Sequence, residues 1–301
     1  MSLVITTPTG HVGAQTVRLL LDAGREDLVL LVRDAAKLPA DVRERTETRE
    51  GALQDAGFVR EATAGADALL WISPADLTTP DLYGWYETLG AAAAGAVRAN
   101  GIGHVVDVSS DGAQKRSGHG PVSGVGRIED ALDATAAATR HLRPTFFMEN
   151  FEHQLGAIAQ AGAIFFPQPP TTKTGMIATR DIAAAAAGLL LDLSWSGREI
   201  LPLLGPRDYS YDEAAAVLAA GLGRDVRMQQ VPPEAIVQQY TGMGATPAWA
   251  QGFVDLYTSI GLPGYADTPR TAASTTPTAL DAYVADTLRP MLDAMPAPVS
   301  E

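Results

Sequence analysis

The sequence predicts an α/β chain: a doubly wound parallel sheet with helices on both faces, followed by a smaller, mostly helical C-terminal part. Three observations predict it. Short apolar runs at 3–5, 28–32, 68–72 and 105–108 read as strands buried on both faces, because such strands lack the alternation of half-exposed ones. Between them lie helical stretches near 52–64, 82–99 and 128–138, which is the alternation of a covered parallel sheet. The first run leads at once into Thr7-Pro8-Thr9-Gly10-His11-Val12-Gly13 and then into a helical pattern that stops at Gly24.

That strand, glycine turn and helix form a dinucleotide-binding pattern of the Rossmann type. Gly10 lets backbone approach a pyrophosphate, Gly13 lets helix pack on strand, and the free N–H groups of the helix start face the phosphates. Thr7 stands where the pattern has its first glycine. Thr7, Thr9, Gly10, His11, Val12 and Gly13 are therefore candidate cofactor residues. The second strand ends in Arg33, with Lys37 close behind; a cation there suits a 2′-phosphate, so NADPH is the expected cofactor. Asp34 and Asp55 read as helix caps. The fourth strand ends in Ile72 and Ser73, beside the place expected for the nicotinamide, and Trp71 within it reads as core.

A sixth strand is expected at 139–142, ending in Arg143 and Pro144. The pattern then loosens, with Pro167, Pro169 and Pro170, and from Tyr211 onward it is mostly helical. The expected division is a dinucleotide-binding part over 1–205 and a substrate-binding part over 206–301, with 151–180 as a further contributor to the substrate side. Ligands in such sheets bind at the carboxyl ends of the strands.

Composition narrows the function. With 301 residues, 46% of them apolar, the chain can bury a large core. A net charge of −13 disfavours nucleic acid and anionic membranes as partners. There is no Cys, hence no disulfide, thiolate nucleophile or Cys metal site, and the five His show no metal spacing, so no metal is expected. The longest apolar tract, 182–191, is about half a membrane span. The expected location is the cytoplasm, and the oligomeric state is not legible.

The chain resembles the NmrA-like branch of the atypical short-chain dehydrogenase/reductase superfamily. The resemblance is carried by the turn Thr7 to Gly13, Val32-Arg33-Asp34, Gly51 and Asp55, Arg143-Pro144-Thr145-Phe146-Phe147-Met148-Glu149-Asn150, Thr179-Arg180-Asp181-Ile182-Ala183 and Leu204-Gly205-Pro206. It implies NADP(H) on a Rossmann sheet with the C-terminal part as the substrate side. Pro144 is a further candidate beside the cofactor, and Phe146, Phe147, Met148 and Asn150 are candidate substrate residues; Phe146, Phe147 and Met148 either line an aromatic pocket or pack between the two parts. The family includes reductases of quinones and ketones and also non-enzymatic redox sensors.

In the wider superfamily a Ser after the fifth strand and a Tyr-x-x-x-Lys on the next helix protonate the oxygen that hydride transfer leaves negative. Here Ser109 and Ser110 follow the strand, but residues 120–129 contain neither Tyr nor Lys. General acid help is worth about 10²- to 10⁴-fold, so its source matters. Three remain open: Ser109 or Ser110; a side chain such as Tyr83, Tyr86 or His119; or the substrate itself, through a phenol hydrogen-bonded to the carbonyl, the most economical of the three. The expected activity is NADPH-dependent reduction of a conjugated or phenolic carbonyl, in the manner of the ketoreductases that tailor angucyclinones and other aromatic polyketides in antibiotic biosynthesis. The alternatives are an NAD(P)H:quinone oxidoreductase and an NADP-binding redox sensor.

Overall fold

The computed structural model describes residues 2–263, 265 and 268–295. Residues 264, 266, 267 and 296–301, which belong to the expected substrate part, and Met1 lie outside them. The main sheet is built from β1 (Leu3–Thr6), β2 (Leu28–Val32), β3 (Glu47–Glu50), β4 (Ala68–Ile72), β5 (His104–Val108) and β6 (Ala138–Pro144). Among the described residues it has seven strands in the order β10-β6-β5-β4-β1-β2-β3, where β10 is Arg198–Leu203. Every pairing within it is parallel. Strand order reverses between β1 and β4, which opens the crevice where doubly wound sheets bind ligands.

Strand geometry sorts the core. On β4, Leu69 and Trp71 point to one face, into a cluster with α3 (Ala56–Ala62), α4 (Leu82–Asn100) and α5 (Pro121–Asp133). Ala68 and Leu70 point to the other face, against α1 (His11–Asp22), α2 (Ala40–Arg45) and α7, the helix Thr179–Leu191. Trp71 is fully buried, and this two-sided burial explains the unbroken apolar runs.

Two sequence expectations need correction. The third helical stretch, read at 128–138, is α5 and ends at Asp133, with β6 starting at Ala138. Pro121 occupies the first turn, where a missing N–H costs nothing, and so moves the start earlier. The seventh strand, β10, had no signal because Arg198, Glu199 and Pro202 break its apolar run. An edge strand tolerates both polar residues and proline.

The second part draws on both sides of residue 205. It contains β7 (Phe146–Phe147), α6 (Leu155–Ala161), β8 (Ala163–Phe166), β9 (Lys173–Ile177), β11 (Asp208–Ser210), α8 (Tyr211–Leu222), β12 (Arg227–Gln230), α9 (Pro233–Gly242) and α10 (Pro247–Ser259). Strand β9 pairs with β7 and with β11, and β8 pairs with β12. Helix α10 is brought against α5 by two glycines: a Cβ on Gly120, whose φ is +50°, would overlap the carbonyl of Gly252. No helix among the described residues is long and apolar enough to cross a membrane.

Candidate active site

The site lies along the carboxyl ends of β1, β4, β5 and β6. Thr7 takes a left-handed backbone, φ +50°, so it fills the role of the missing glycine with a side chain. Its hydroxyl donates to the carbonyl of Ile72 at 2.8 Å, and its own carbonyl accepts from Gly10 N–H at 3.2 Å. A Cβ on Gly13 would overlap that Thr7 carbonyl, so Gly13 is dictated by the turn. Gly10 precedes α1 in an extended conformation, and α1 has no side-chain cap. Its first N–H groups are thus left for an anion.

Around this turn Thr9 and His11 are exposed, Val12 is buried beneath it, and Arg33 and Lys37 are exposed beyond β2. The charge of Arg33 reaches Asp76 in the loop after β4. The Asp34 side chain caps Ala36 N–H and that of Asp55 caps Gly57 and Phe58, so both are structural. Thr6 Oγ1 and Ile72 N–H bond at 2.7 Å, locking β1 to β4. Ser73 accepts from the Trp71 indole at 2.9 Å. Pro144 is buried, and its carbonyl accepts from Asp111 N–H at 2.9 Å, which seats the loop after β5 beside the end of β6. These residues suit a dinucleotide: an uncapped helix start, a turn closed by Gly13 and an exposed cation where a ribose phosphate would lie.

At the ends of β5 and β6 opens a cleft of about 200 Å³. Ser110, Asp111 and Thr145 line it from the strand ends, Phe146, Phe147 and Asn150 from the segment after β6, and Tyr240, Phe253 and Tyr257 from α9 and α10. Val122 is the α5 residue in its wall, on the helix that carries no Tyr or Lys. Tyr265 closes one end, its ring 4.9 Å from that of His119. Two further chambers share walls with the cleft, one through Asp111, Thr145 and Tyr265, the other through Asn150, Tyr240 and Tyr257.

Several expected residues are placed elsewhere. Ser109 is buried and does not line the cleft: its hydroxyl donates to Glu129 at 2.6 Å. Glu129 also takes a two-pronged bond from Arg143, at 2.8 and 2.6 Å, and lies 3.1 Å from Arg116. Ser110 does line the cleft and bonds the Asp111 carbonyl at 3.2 Å. Met148 is fully buried in the core of the second part. Tyr86 is buried against Trp249, and burial pushes its phenol upward. Tyr83 accepts from Gly118 N–H under the Arg127 guanidinium. His119 is held by the Gly112 carbonyl at 3.3 Å. Glu149, next to Met148, accepts from Thr179 N–H and hydroxyl at the start of α7, and burial raises its carboxyl.

Sequence reading missed Tyr240, Tyr257 and Tyr265. A signal existed for the second: Trp249, Phe253 and Tyr257 recur every four residues, which puts three aromatic rings on one face of α10.

Residues 8–192 match the model of a family described as NAD(P)H-binding. The chain belongs to this NAD(P)H-binding family. It is 29% identical to an NAD(P)H azoreductase of Xenophilus azovorans over 255 residues, 85% of this chain and 86% of that one. Its fold matches that of an NADPH-dependent quinone oxidoreductase of Escherichia coli solved with NADPH, with a TM-score of 0.78, 20% identity and coverage of 95% and 99% of the two chains. It also matches NmrA, a negative transcriptional regulator solved with NAD, with a TM-score of 0.71 at 13% identity and 97% coverage of each chain. The NmrA-like resemblance and the α/β expectation agree with these matches.

Proposed function

We propose that the protein is an NADPH-dependent reductase of a conjugated or phenolic carbonyl on a flat aromatic molecule of the angucyclinone kind. The observation that carries this is the cleft itself, walled by Phe146, Phe147, Phe253 and three Tyr rings and reached from the segments that follow β5 and β6. Flat rings stack on such walls. The turn from Thr7 to Gly13 would hold the diphosphate, Arg33 and Lys37 the 2′-phosphate, and Ile72, Ser73 and Pro144 would border the nicotinamide. NADPH bound there supplies a hydride.

The protein's own contribution is orientation, exclusion of water and a hydrogen bond to the oxygen that becomes negative. Ser110 is the strand-end hydroxyl positioned in the wall for that bond, whereas Ser109 is committed to Glu129. A phenol on the substrate next to the carbonyl would lower the barrier further. The quinone oxidoreductase of the same fold suggests a second reading, in which a quinone is the acceptor. NADPH oxidation followed at 340 nm with hydroxyquinones, simple quinones and phenolic ketones tests both. Turnover of phenolic ketones is expected, and turnover of simple quinones alone would select the second reading. Tight NADPH binding with no turnover of any acceptor would point instead to a redox sensor.

A further inference from the structure

We propose that Tyr257 and Tyr240 form a proton relay that carries a solvent proton to the reduced oxygen in the cleft. The inference rests on the reductase reading above and supplies the acid that α5 lacks. Tyr257, on α10, and Tyr240, on α9, have hydroxyl oxygens 3.4 Å apart, either of which can donate. Both residues line the aromatic cleft, and both also line the neighbouring chamber of about 370 Å³. That chamber reaches the surface at Met243, which is 61% exposed, and contains His153 and Gln239. The phenol pair therefore stands in the partition between substrate and water.

The partition is held in place. The Tyr240 ring stacks on Phe253, centroids 3.7 Å apart and planes within 7°. The Tyr257 carbonyl accepts from Gln168 at 2.6 Å, which fixes the end of α10. Burial raises the Tyr257 phenol, while the hydrogen bond from Tyr240 acts the other way. A phenol kept protonated at neutral pH is a donor, and a second phenol hydrogen-bonded to it eases loss of its proton.

When the carbonyl carbon accepts a hydride from NADPH, the C=O π pair moves onto oxygen. That oxygen bonds the Tyr257 proton as the Tyr257 O–H breaks. Tyr257 Oη then takes the Tyr240 proton, and water in the outer chamber reprotonates Tyr240. A phenol on the substrate can polarise the carbonyl, but the alcohol formed still needs this net proton.

Two measurements test the relay on the full-length protein. Tyr257→Phe should lower kcat about a hundredfold, the scale of a lost general acid, with KM changed far less and with NADPH affinity and Tm as in the wild type. Tyr240→Phe should lower kcat about tenfold and raise the solvent deuterium isotope effect, since it delays reprotonation. Without cofactor, 2-naphthol should bind Tyr257→Phe about tenfold more weakly than wild type, the scale of one hydrogen bond. Loss of less than tenfold in kcat for Tyr257→Phe overturns the relay. Undiminished naphthol binding by that variant overturns it as well, even if the wild type proves to turn over no acceptor, so the two readings fail separately.

Discussion

Thr7 shows how one residue can satisfy a pattern it lacks. A β-branched residue in the left-handed region pays about 1–2 kcal/mol, and its hydroxyl bond to Ile72 returns about 0.5–1.5 kcal/mol. Thr7→Gly should therefore change stability by less than about 1 kcal/mol, whereas Thr7→Val, which keeps the strain and loses the bond, should cost about 1 kcal/mol. Urea midpoints decide this, and equal midpoints for Thr7→Val and wild type would show that the bond contributes nothing. Gly13→Val, by contrast, should abolish NADPH binding, because no neighbour of the turn can yield to a side chain there. At the far end of the site, Arg33→Asp should weaken NADPH by about 1.5–3 kcal/mol, the range of a charge-assisted bond, and NADH less. Calorimetric titration with both nucleotides checks it; a wild type that binds the two equally would remove Arg33 from that role.

Helix α5 and strand β6 are joined through Glu129. The carboxylate is 2% exposed and receives Ser109, Arg143 and Arg116, so its hydrogen-bonding capacity is filled. Removing one partner of a buried pair leaves an uncompensated charge, a cost of about 3–5 kcal/mol. Glu129→Ala should lose that much stability in a denaturant titration. The double variant Glu129→Ala with Arg143→Met should recover part of it, because no buried guanidinium is then stranded; additive losses would mean that the pair does not interact as described. The same element explains the legibility of the site. Ser109 and Ser110 are indistinguishable along the chain, yet one is fixed under α5 and the other faces the cleft.

Across the molecule, the sheet carries a buried charge chain whose titration should be visible in stability. His141 on β6 bonds Asp107 on β5 at 2.9 Å and Asp133 at 3.2 Å. Burial alone would lower the imidazolium, but the bonds to Asp107 and Asp133 and the charges of Asp107 and Glu129 outweigh it and raise the His141 pKa to about 9 from its ordinary 6.5. Burial also raises Asp107. Folding thus takes up protons, and the stabilisation from His141 is complete below about pH 6.5 and lost as pH climbs through about 9. Thermal unfolding from pH 6 to 10 should show Tm falling across that window, with a shallower slope in His141→Asn; identical slopes would remove His141 as the cause.

The sequence by itself determined most strands of the sheet and the glycine turn that follows the first of them. Strands buried on both faces are continuous apolar runs, and a glycine turn is local, so β1, β2, β4 and α1 were legible from neighbours in the chain. Its polar edge strand β10 was not, because an edge needs no apolar pattern. Tertiary structure alone decided the substrate end. The cleft is assembled from residues near 110, 146, 240 and 257, and which side chains meet there depends on how α9 and α10 pack over the strand ends. A Gly120–Gly252 approach seats α10, and the pairing of Tyr240 with Tyr257 follows from helix packing rather than from any spacing in the chain.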